Sequence, residues 1–237
     1  MSDFSGQVAL LTGASRGIGA AVAQALAAAG AHVVLTGRDT KALEVIEQAI
    51  FDAGGAATIA PVDMADADGI ARLANAVAER WGKLDILVHA AAILPQLTAA
   101  ADIDQVSFTK AITVNTLATQ ALIARFDPLL RKSQDARLVY FTTSVATAPR
   151  AYWGAYAASK AAAEVLVDCY AQEVRNISKV RVAIIDPGAT RTAMRARAYP
   201  GEDPNSVKLP EVVGARVAEL LGEQFASPHR ERVNQPS

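Results

Sequence analysis

A tyrosine and a lysine stand four residues apart in the alanine-rich stretch of residues 144–160, as Tyr156 and Lys160. On a helix this spacing places both side chains on one face, within reach of a shared ligand. A free phenol has a pKa of about 10 and is a weak acid–base catalyst near neutral pH, but a nearby ammonium lowers that pKa. The pair therefore predicts acid–base chemistry, with the hydroxyl of Ser144 as a third group. Taken alone, the same spacing is also common on ordinary helix surfaces.

A second chemical signal is the glycine-rich turn of residues 12–19, which follows a short apolar run and precedes a helix-forming run. Glycines in such a turn let the backbone approach a pyrophosphate, and the free N–H groups of the next helix bind its charge. Gly13, Gly17 and Gly19 have the spacing G-x-x-x-G-x-G, which differs from the common G-x-G-x-x-G fingerprint. Their position between a strand and a helix predicts a dinucleotide site.

The residues that follow the second β-branched run favour NADP(H) over NAD(H). An acidic side chain there would bind the ribose 2′-hydroxyl, whereas this chain has Gly37 and then Arg38, with Arg16 in the glycine turn. Two guanidinium groups favour a 2′-phosphate. We interpret Asp39, or Thr40, as the cap of the next helix. The alternative is that both arginines are solvated surface charges.

Short apolar runs alternate with longer helix-forming runs along the chain. Six runs are predicted as strands: residues 7–12, 32–37, 56–63, 84–90, 137–143 and 179–186. Because each intervening helix returns the chain to the same end of the sheet, the strands are expected to pair in parallel. The predicted fold is α/β: a single-domain, Rossmann-type, doubly wound parallel sheet of six or seven strands with helices on both faces.

No linker or repeat divides the chain, which predicts one domain over residues 1–237. A Pro-, Gly- and Arg-rich segment at about residues 188–210 is too long for an ordinary connection, so a mobile lid is expected there. After Gly222 the sequence becomes polar, and residues 229–237 give no convincing seventh strand.

Composition and charge exclude several classes of function. With 23 basic and 24 acidic residues the formal net charge is −1, so no overall field attracts nucleic acid or an anionic membrane.

The chain does not begin like a signal peptide, and Pro95 interrupts its most apolar stretch, which predicts a cytoplasmic protein without a membrane span. The single cysteine, Cys169, fits a reducing compartment, and its apolar neighbours predict a buried thiol. His32 and His229 lack neighbours at metal-ligand spacing, so no metal site is predicted.

The order of these motifs resembles that of the short-chain dehydrogenase/reductase family over residues 8–192: the glycine turn, Asp63, Asn115, Ser144 and Tyr156-x-x-x-Lys160. The resemblance implies hydride transfer between NADP(H) and a small-molecule carbonyl or alcohol. It implies that Tyr156 is the acid–base residue, that Ser144 holds the substrate oxygen, and that Lys160 binds the nicotinamide ribose and tunes the phenol. Asn115 would interrupt the helical region predicted over residues 103–132 and hold a water that connects Lys160 to solvent.

The resemblance also implies a cofactor-binding set and an assembly. Asp63 and Met64 would border the adenine, and Thr192 after the Pro187-Gly188 turn would contact the nicotinamide carboxamide. The full set is Gly13, Ser15, Arg16, Gly17, Ile18, Gly19, Arg38, Asp63, Met64, Ala90, Tyr156, Lys160, Pro187, Gly188, Thr190 and Thr192. Family members commonly pair through the helices that carry Asn115 and Tyr156, which implies a homodimer or a homotetramer.

This chain departs from the family pattern at two places. Residues 89–92 are His-Ala-Ala-Ala where the family has Asn-Asn-Ala-Gly. Side-chain bonds that tie this strand to its neighbours are therefore expected to be lost, and the methyl of Ala92 is expected to crowd the cofactor. His89 is either catalytic or a packed or surface imidazole. Residue type favours Ser144 as the substrate-binding hydroxyl, whereas the family spacing to Tyr156 selects Thr143.

The alanines at residues 90–92 leave a second function open. The chain would then be a dinucleotide-binding sensor or scaffold of the same fold, with little or no catalysis. Three arginines in the lid either attract an anionic substrate or are solvated charges; they are Arg191, Arg195 and Arg197. The substrate pocket is expected to be lined by Leu94, Pro95, Tyr152, Trp153, Met194 and Tyr199.

Overall fold

The predicted parallel sheet is present, with one strand more than the apolar pattern indicates. The computed structural model describes residues 3–234, so the first two and the last three residues of the chain lie outside the described part. The strands are β1 (Val8–Thr12), β2 (His32–Thr36), β3 (Ala56–Ile59), β4 (Ile86–His89), β5 (Arg137–Phe141), β6 (Arg181–Asp186) and β7 (His229–Arg232). All neighbours pair in parallel in the order β3-β2-β1-β4-β5-β6-β7. The doubly wound α/β fold is confirmed.

Helices connect the strands and cover both faces of the sheet. They are α1 (Gly17–Ala28), α2 (Thr40–Asp52), α3 (Ala67–Trp81), α4 (Gln105–Ile112), α5 (Ala118–Leu130), α6 (Ser144–Thr147), α7 (Gly154–Val174), α8 (Ala193–Ala198) and α9 (Pro210–Gly222). A π-helical turn, Thr113–Leu117, joins α4 to α5, so the long predicted helix is interrupted where Asn115 stands. Within residues 3–234, none of the helices has the length and apolar character needed to cross a bilayer.

The sheet is buried on both faces because consecutive strand residues point to opposite sides and both sides carry helices. Leu10 and Leu87 pack with residues of α3, α5 and α7. Leu11 and Val88 pack with residues of α1, α2 and α9 on the other face. This double burial explains why the five inner strands, unlike the edge strands β3 and β7, are nearly continuous apolar runs.

The strand order places the functional crevice between β1 and β4. The chain proceeds outward from β1 through β2 to β3, then returns to the other side of β1 and proceeds to β7. Where the order reverses, the loops at the carboxyl ends of the two central strands diverge and leave a crevice. The glycine turn after β1 and residues 89–92 at the end of β4 therefore lie side by side.

The expectation that no seventh strand follows α9 is wrong. β7 pairs with β6 along its whole length. Its side chains are held by ion pairs: Arg230 donates to the carboxylates of Glu164 and Asp168 on α7. On the other face, Glu231 accepts from Arg216 of α9. An edge strand held in this way has no apolar alternation, so the sequence pattern does not reveal it. The end of the polar tail, residues 235–237, lies outside the described residues.

The prediction of a buried thiol is also wrong. Cys169 is exposed on α7, as are Val165 and Leu166 one turn before it. This stripe points away from the sheet, and the α7 residues in the core beneath the sheet include Ala163 and Val167. Apolar neighbours in sequence therefore do not imply burial on a helix, because only one stripe of the helix meets the core.

Candidate active site

A cleft of about 930 Å³ opens at the carboxyl edge of the sheet. It is lined by most of the predicted cofactor set, namely Gly13, Ser15, Arg16, Gly17, Ile18, Gly19, Arg38, Asp63, Met64, Ala90, Tyr156, Lys160, Pro187 and Thr192. Gly188 and Thr190 do not line it. Gly188 has a positive φ of 62° in the turn after β6, and the buried Thr190 donates to the carbonyl oxygen of Pro187 at 3.1 Å. These two residues therefore shape the turn after β6 without lining the cleft.

The glycine turn excludes side chains at two positions. A Cβ atom on Gly19 would lie 2.3 Å from the carbonyl oxygen of Gly13, and one on Gly13 would lie 2.8 Å from the backbone nitrogen of Ala91. Gly13 and Gly17 also adopt positive φ angles of 68° and 57°, which glycine tolerates. α1 begins at Gly17, so its first free N–H groups are accessible from the cleft. A pyrophosphate fits such a cradle.

The rim of the cleft beside α2 carries three cations, Arg16, Arg38 and Lys41. None of them takes part in an ion pair within residues 3–234. Asp39 caps α2, because its carboxylate accepts the N–H of Ala42 at 3.1 Å, and the capping interpretation is confirmed. Sequence reasoning overlooked Lys41, although its place in the first turn of α2, three residues after Arg38, is a usable signal.

α7 brings Tyr156 and Lys160 to the same cleft, one helical turn apart, as their spacing predicts. Tyr156 is 8% exposed, and its hydroxyl lies 4.0 Å from Sδ of Met194 on α8. Burial, together with the negative charge of Asp186, raises the pKa of Tyr156 to about 12. The expected lowering of this pKa is therefore not found, and the phenol keeps its proton at neutral pH.

Lys160 is buried and directs its ammonium at the main chain of β5. Nζ donates to the carbonyl oxygen of Phe141 at 2.6 Å and lies 4.2 Å from the centre of the Tyr140 ring. Burial lowers the pKa of Lys160 to about 7, and the negative charge of Glu164 opposes that shift. Because the ammonium is committed to the Phe141 carbonyl, it does not stabilise a Tyr156 phenolate in this arrangement.

Asn115 lies outside the cleft lining but holds one of its loops. Its Oδ1 accepts the N–H of Ile93 at 2.8 Å, and its Nδ2 donates to the carbonyl oxygen of Ile93 at 2.9 Å. The same Nδ2 donates to Ser159 Oγ at 2.9 Å, and Ser159 donates to the carbonyl oxygen of Tyr156 at 2.8 Å. The π-helical turn thus connects the loop after β4 to the helix that carries Tyr156 and Lys160. Turns of this kind frequently occur at functional sites.

The bonds expected to be lost at the end of β4 are supplied by His89. Its ring is 4% exposed, with Nδ1 2.7 Å from Thr12 Oγ1 of β1 and Nε2 3.0 Å from Thr119 Oγ1 of α5. His89 does not line the cleft, so it is the packed imidazole of the two alternatives. The three alanines that follow it, residues 90–92, do line the cleft.

Three hydroxyls follow β5, and the structure separates the first from the other two. Thr142 lines the cleft, but its Oγ1 donates to the carboxylate of Glu164. Thr143 is the extended residue that precedes α6, and Ser144 is the first residue of that helix. Both are partly buried, and neither lines the cleft. Substitution of each residue distinguishes Ser144 from Thr143 as the substrate-binding hydroxyl.

Four of the six predicted substrate-pocket residues lie near Tyr156, whereas Pro95 lines a second cavity and Tyr152 is 64% exposed. Leu94 and Tyr156 belong to a small apolar cluster, against which Trp153 and Met194 pack. The Trp153 ring lies 6.0 Å from the Tyr156 ring and 5.7 Å from the Tyr199 ring, measured between centroids. Side chains of α8 and the following turn therefore lie close to the phenol.

A second cavity, of about 750 Å³, lies between the loop after β4, α4 and the end of α8. Its charged residues are Arg38, Lys110 and Arg197, and its other lining residues are Ile93, Leu94, Pro95, Gln96, Leu97, Ser107, Ala198 and Pro200. None of the lining residues is acidic. The ion pairs of residues 3–234 include none of the three cations.

The three arginines of the lid segment have different roles. Arg191 donates through Nε to the carbonyl oxygen of Pro204 at 2.6 Å, and Arg195 forms an ion pair with Glu202. These two guanidinium groups hold the segment together. Arg197 is the member of this group that remains unpaired in the described part of the chain and faces a cavity.

Known proteins resemble this chain over nearly its whole length. The family model described as short chain dehydrogenase matches residues 7–203. The oxidoreductase YciK of Escherichia coli K12 is 35% identical over 220 residues, which cover 92% of this chain and 86% of YciK. A short chain dehydrogenase structure from Salmonella enterica has a TM-score of 0.94 at 33% identity and covers 99% of both chains. A structure from Shigella flexneri 2a, complexed with NADP, has a TM-score of 0.93 at 32% identity and covers 98% of this chain and 99% of its own.

Proposed function

Because the chain belongs to the short-chain dehydrogenase/reductase family, we propose that it is an NADP(H)-dependent oxidoreductase that interconverts a carbonyl and an alcohol. One observation carries the proposal: the glycine cradle and the Tyr156–Lys160 pair line the same cleft. A dinucleotide on the cradle and a substrate beside Tyr156 would therefore lie together. The Shigella flexneri structure with NADP supports the choice of cofactor.

The residues of the cleft fit NADP(H) along its length. The pyrophosphate would rest on the N-terminus of α1, and Asp63 and Met64 would border the adenine. Arg16, Arg38 and Lys41 would bind the 2′-phosphate at the rim. When bound, the cofactor supplies the hydride, and the protein supplies orientation and the proton.

Tyr156 would donate that proton as negative charge develops on the substrate oxygen. Its raised pKa keeps the phenol protonated at neutral pH, which suits carbonyl reduction. Ser144, or Thr143 in its place, would donate a hydrogen bond to the same oxygen. Lys160, connected to solvent through a water held at Asn115, would return a proton to Tyr156. In the direction of alcohol oxidation the phenol must first ionise, so this direction is expected to need a higher pH.

The cofactor preference predicts different effects of two arginine substitutions on NADPH and NADH. Arg16→Ala and Arg38→Ala are each expected to weaken NADPH binding about tenfold or more, because a hydrogen bond to a charged group contributes about 1.5–3 kcal/mol. NADH binding should change little. Calorimetric titration of both cofactors measures this, with Lys132→Ala as control, because Lys132 is an exposed cation that lines neither cavity. Tighter binding of NADH than of NADPH by the unmodified chain would overturn the assignment.

We infer further that the substrate carries an anionic group at the end of an apolar segment. Leu94 and Leu97 line the second cavity; Leu94 also belongs to the apolar cluster beside Tyr156, and Leu97 packs against that cluster. A substrate whose carbonyl lies at Tyr156 can extend along these leucines toward Lys110 and Arg197. Both cations lack an acidic partner among the described residues, so an anion there would be favoured.

A panel of carbonyl compounds tests both the oxidoreductase activity and the anionic substrate. Each compound is supplied as a carboxylate and as the neutral amide, and turnover is measured by loss of NADPH absorbance. The carboxylates should have the lower KM. Lys110→Gln and Arg197→Gln should each raise that KM roughly two- to fivefold, since an exposed ion pair contributes about 0.2–1 kcal/mol. The KM values of the amides should not change in these two variants. The Lys132→Gln control should not change the KM of the carboxylates.

The panel separates three outcomes. Equal KM values within the pairs would contradict an anionic substrate while leaving the oxidoreductase proposal intact. Turnover of no member, in a chain that binds NADPH, would favour the sensor or scaffold alternative suggested by the alanines at residues 90–92. Restored turnover in Ala92→Gly would then identify the methyl group of Ala92 as the obstacle.

We propose a homodimer or a homotetramer in which subunits pair through α7 and the π-helical turn. Leu117, Val165 and Leu166 are exposed on these elements. Exposed apolar side chains on two adjacent helices suit burial against the same surface of a second copy. Light scattering on the full chain should give at least twice the mass of one chain, and Leu166→Glu should lower it. A monomeric unmodified chain would contradict this assembly.

A further inference from the structure

His89 lies at the centre of a chain of hydrogen bonds whose direction can be assigned. Thr119 donates to the carbonyl oxygen of Asn115 at 2.9 Å, so its oxygen accepts from His89 Nε2–H. Nδ1 is then the unprotonated nitrogen and accepts from the hydroxyl of Thr12. The Thr12 oxygen in turn accepts the N–H of Ala91 at 3.1 Å. Four bonds thus run in one direction, from Ala91 to Asn115, and each member is satisfied.

Both ends of this chain hold the loop that lines the cleft after β4. Thr12 binds the N–H of Ala91, whose backbone passes so close to Gly13 that a Cβ atom there would clash. Asn115 binds the N–H and the carbonyl oxygen of Ile93, two residues further on. His89 is the group that connects these two attachments.

The neutral form of the ring is required for this connection. A protonated ring would donate from both nitrogens, and the hydroxyl proton of Thr12 would lose its acceptor. Burial, and then the positive charge of Lys160, lower the pKa of His89 to about 3. The Tyr140 ring packs beside the imidazole, 5.9 Å away between ring centroids.

We propose that His89 is a positioning residue for cofactor binding: as a neutral imidazole it couples the end of β1 to the π-helical turn and so holds residues 90–93 in the geometry that receives the dinucleotide. The proposal rests on the proposed function for the identity of the ligand. It assigns a role to the histidine that stands where the family has asparagine. It also accounts for how a loop of three alanines, which have no polar side chains, is held in place.

Two substitutions of His89 separate its two bonds. His89→Asn keeps an acceptor near the position of Nδ1 and so keeps the bond from Thr12, whereas His89→Gln keeps a donor near the position of Nε2. NADPH affinity in His89→Asn should stay within about threefold of the unmodified chain, because the bond nearest the loop is retained. In His89→Gln it should fall about tenfold. His32→Gln is the matched control, because His32 binds Thr58 at the opposite end of the sheet.

Thr119→Val tests the coupling without touching the cleft or the histidine. Thr119 lines neither cavity, so a direct effect on the cofactor is excluded. We expect NADPH affinity to fall about threefold or more, and amide hydrogen exchange at Ala91 and Ile93 in the cofactor-free chain to accelerate about tenfold. Thermal melts of each variant identify the temperature range in which it is folded.

Two results would overturn the proposal: unchanged NADPH affinity with unchanged exchange at Ala91 in the folded Thr119→Val variant, or equal losses in His89→Asn and His89→Gln. Hydrogen exchange does not depend on the cofactor. If the unmodified chain bound no NADPH, the proposed function would fail, and protection at Ala91 would still report whether His89 positions the loop.

Discussion

Tyr156→Phe is expected to lower kcat for carbonyl reduction about 1000-fold, since a positioned general acid contributes typically 10²–10⁴-fold. The phenol is buried in the cleft and protonated at neutral pH. Phenylalanine keeps the ring but lacks the hydroxyl group that donates the proton. NADPH affinity should stay within about twofold. Steady-state oxidation of NADPH and calorimetric titration of the same preparation measure the two quantities. Full turnover by Tyr156→Phe would refute the acid–base role.

Tyr170→Phe is the matched control for this experiment. Tyr170 lies on the same helix, and its hydroxyl donates to Asp127 at 2.8 Å, away from both cavities. Its loss should cost stability, by about 1 kcal/mol, and leave kcat unchanged. A similar loss of kcat in both variants would indicate a general disturbance of α7 instead of the loss of a proton donor.

The direction of the reaction adds a pH signature to the same prediction. Below its pKa of about 12, the ionised fraction of Tyr156 grows about tenfold per pH unit. Alcohol oxidation, which needs the phenolate, should therefore accelerate as pH rises above neutral, whereas carbonyl reduction should not. Ser144→Ala and Thr143→Val complete the series: the variant that loses kcat by about 100-fold identifies the hydroxyl that binds the substrate oxygen.

Gly19→Ala is expected to abolish measurable NADPH binding and to lower the free energy of unfolding by about 3 kcal/mol. The added methyl would lie 2.3 Å from the carbonyl oxygen of Gly13, and neither the start of α1 nor the end of β1 can shift without moving the cradle. Calorimetric titration measures the first effect, and chemical denaturation measures the second.

Gly201→Ala provides the comparison, because a Cβ atom at Gly201 meets nothing within 4 Å. It should change the free energy of unfolding by less than about 0.5 kcal/mol and leave NADPH binding intact. If Gly19→Ala bound NADPH as tightly as Gly201→Ala, the glycine turn would not be the pyrophosphate cradle.

The fold was predictable because its causes are local and repeated. Each buried strand is an apolar run, and each covering helix has a helix-forming run. β7 escaped prediction because Arg230 and Glu231 hold it through ion pairs with residues far away in sequence. The exposure of Cys169 was not predicted for a related reason: a short apolar stretch on a helix does not reveal which side of the helix packs against the sheet.

The sequence by itself determined the chemistry-bearing residues and their local geometry. Helical spacing was enough to place Tyr156 and Lys160 together, and the glycine turn followed from where glycines stand between a strand and a helix. The tertiary structure alone decided the pKa shifts of Tyr156 and Lys160 and the partners of His89. Thr12 and Thr119 lie 77 and 30 residues from that histidine. Burial and hydrogen bonding depend on groups that only the folded chain brings together, and those groups set a pKa or fix a tautomer.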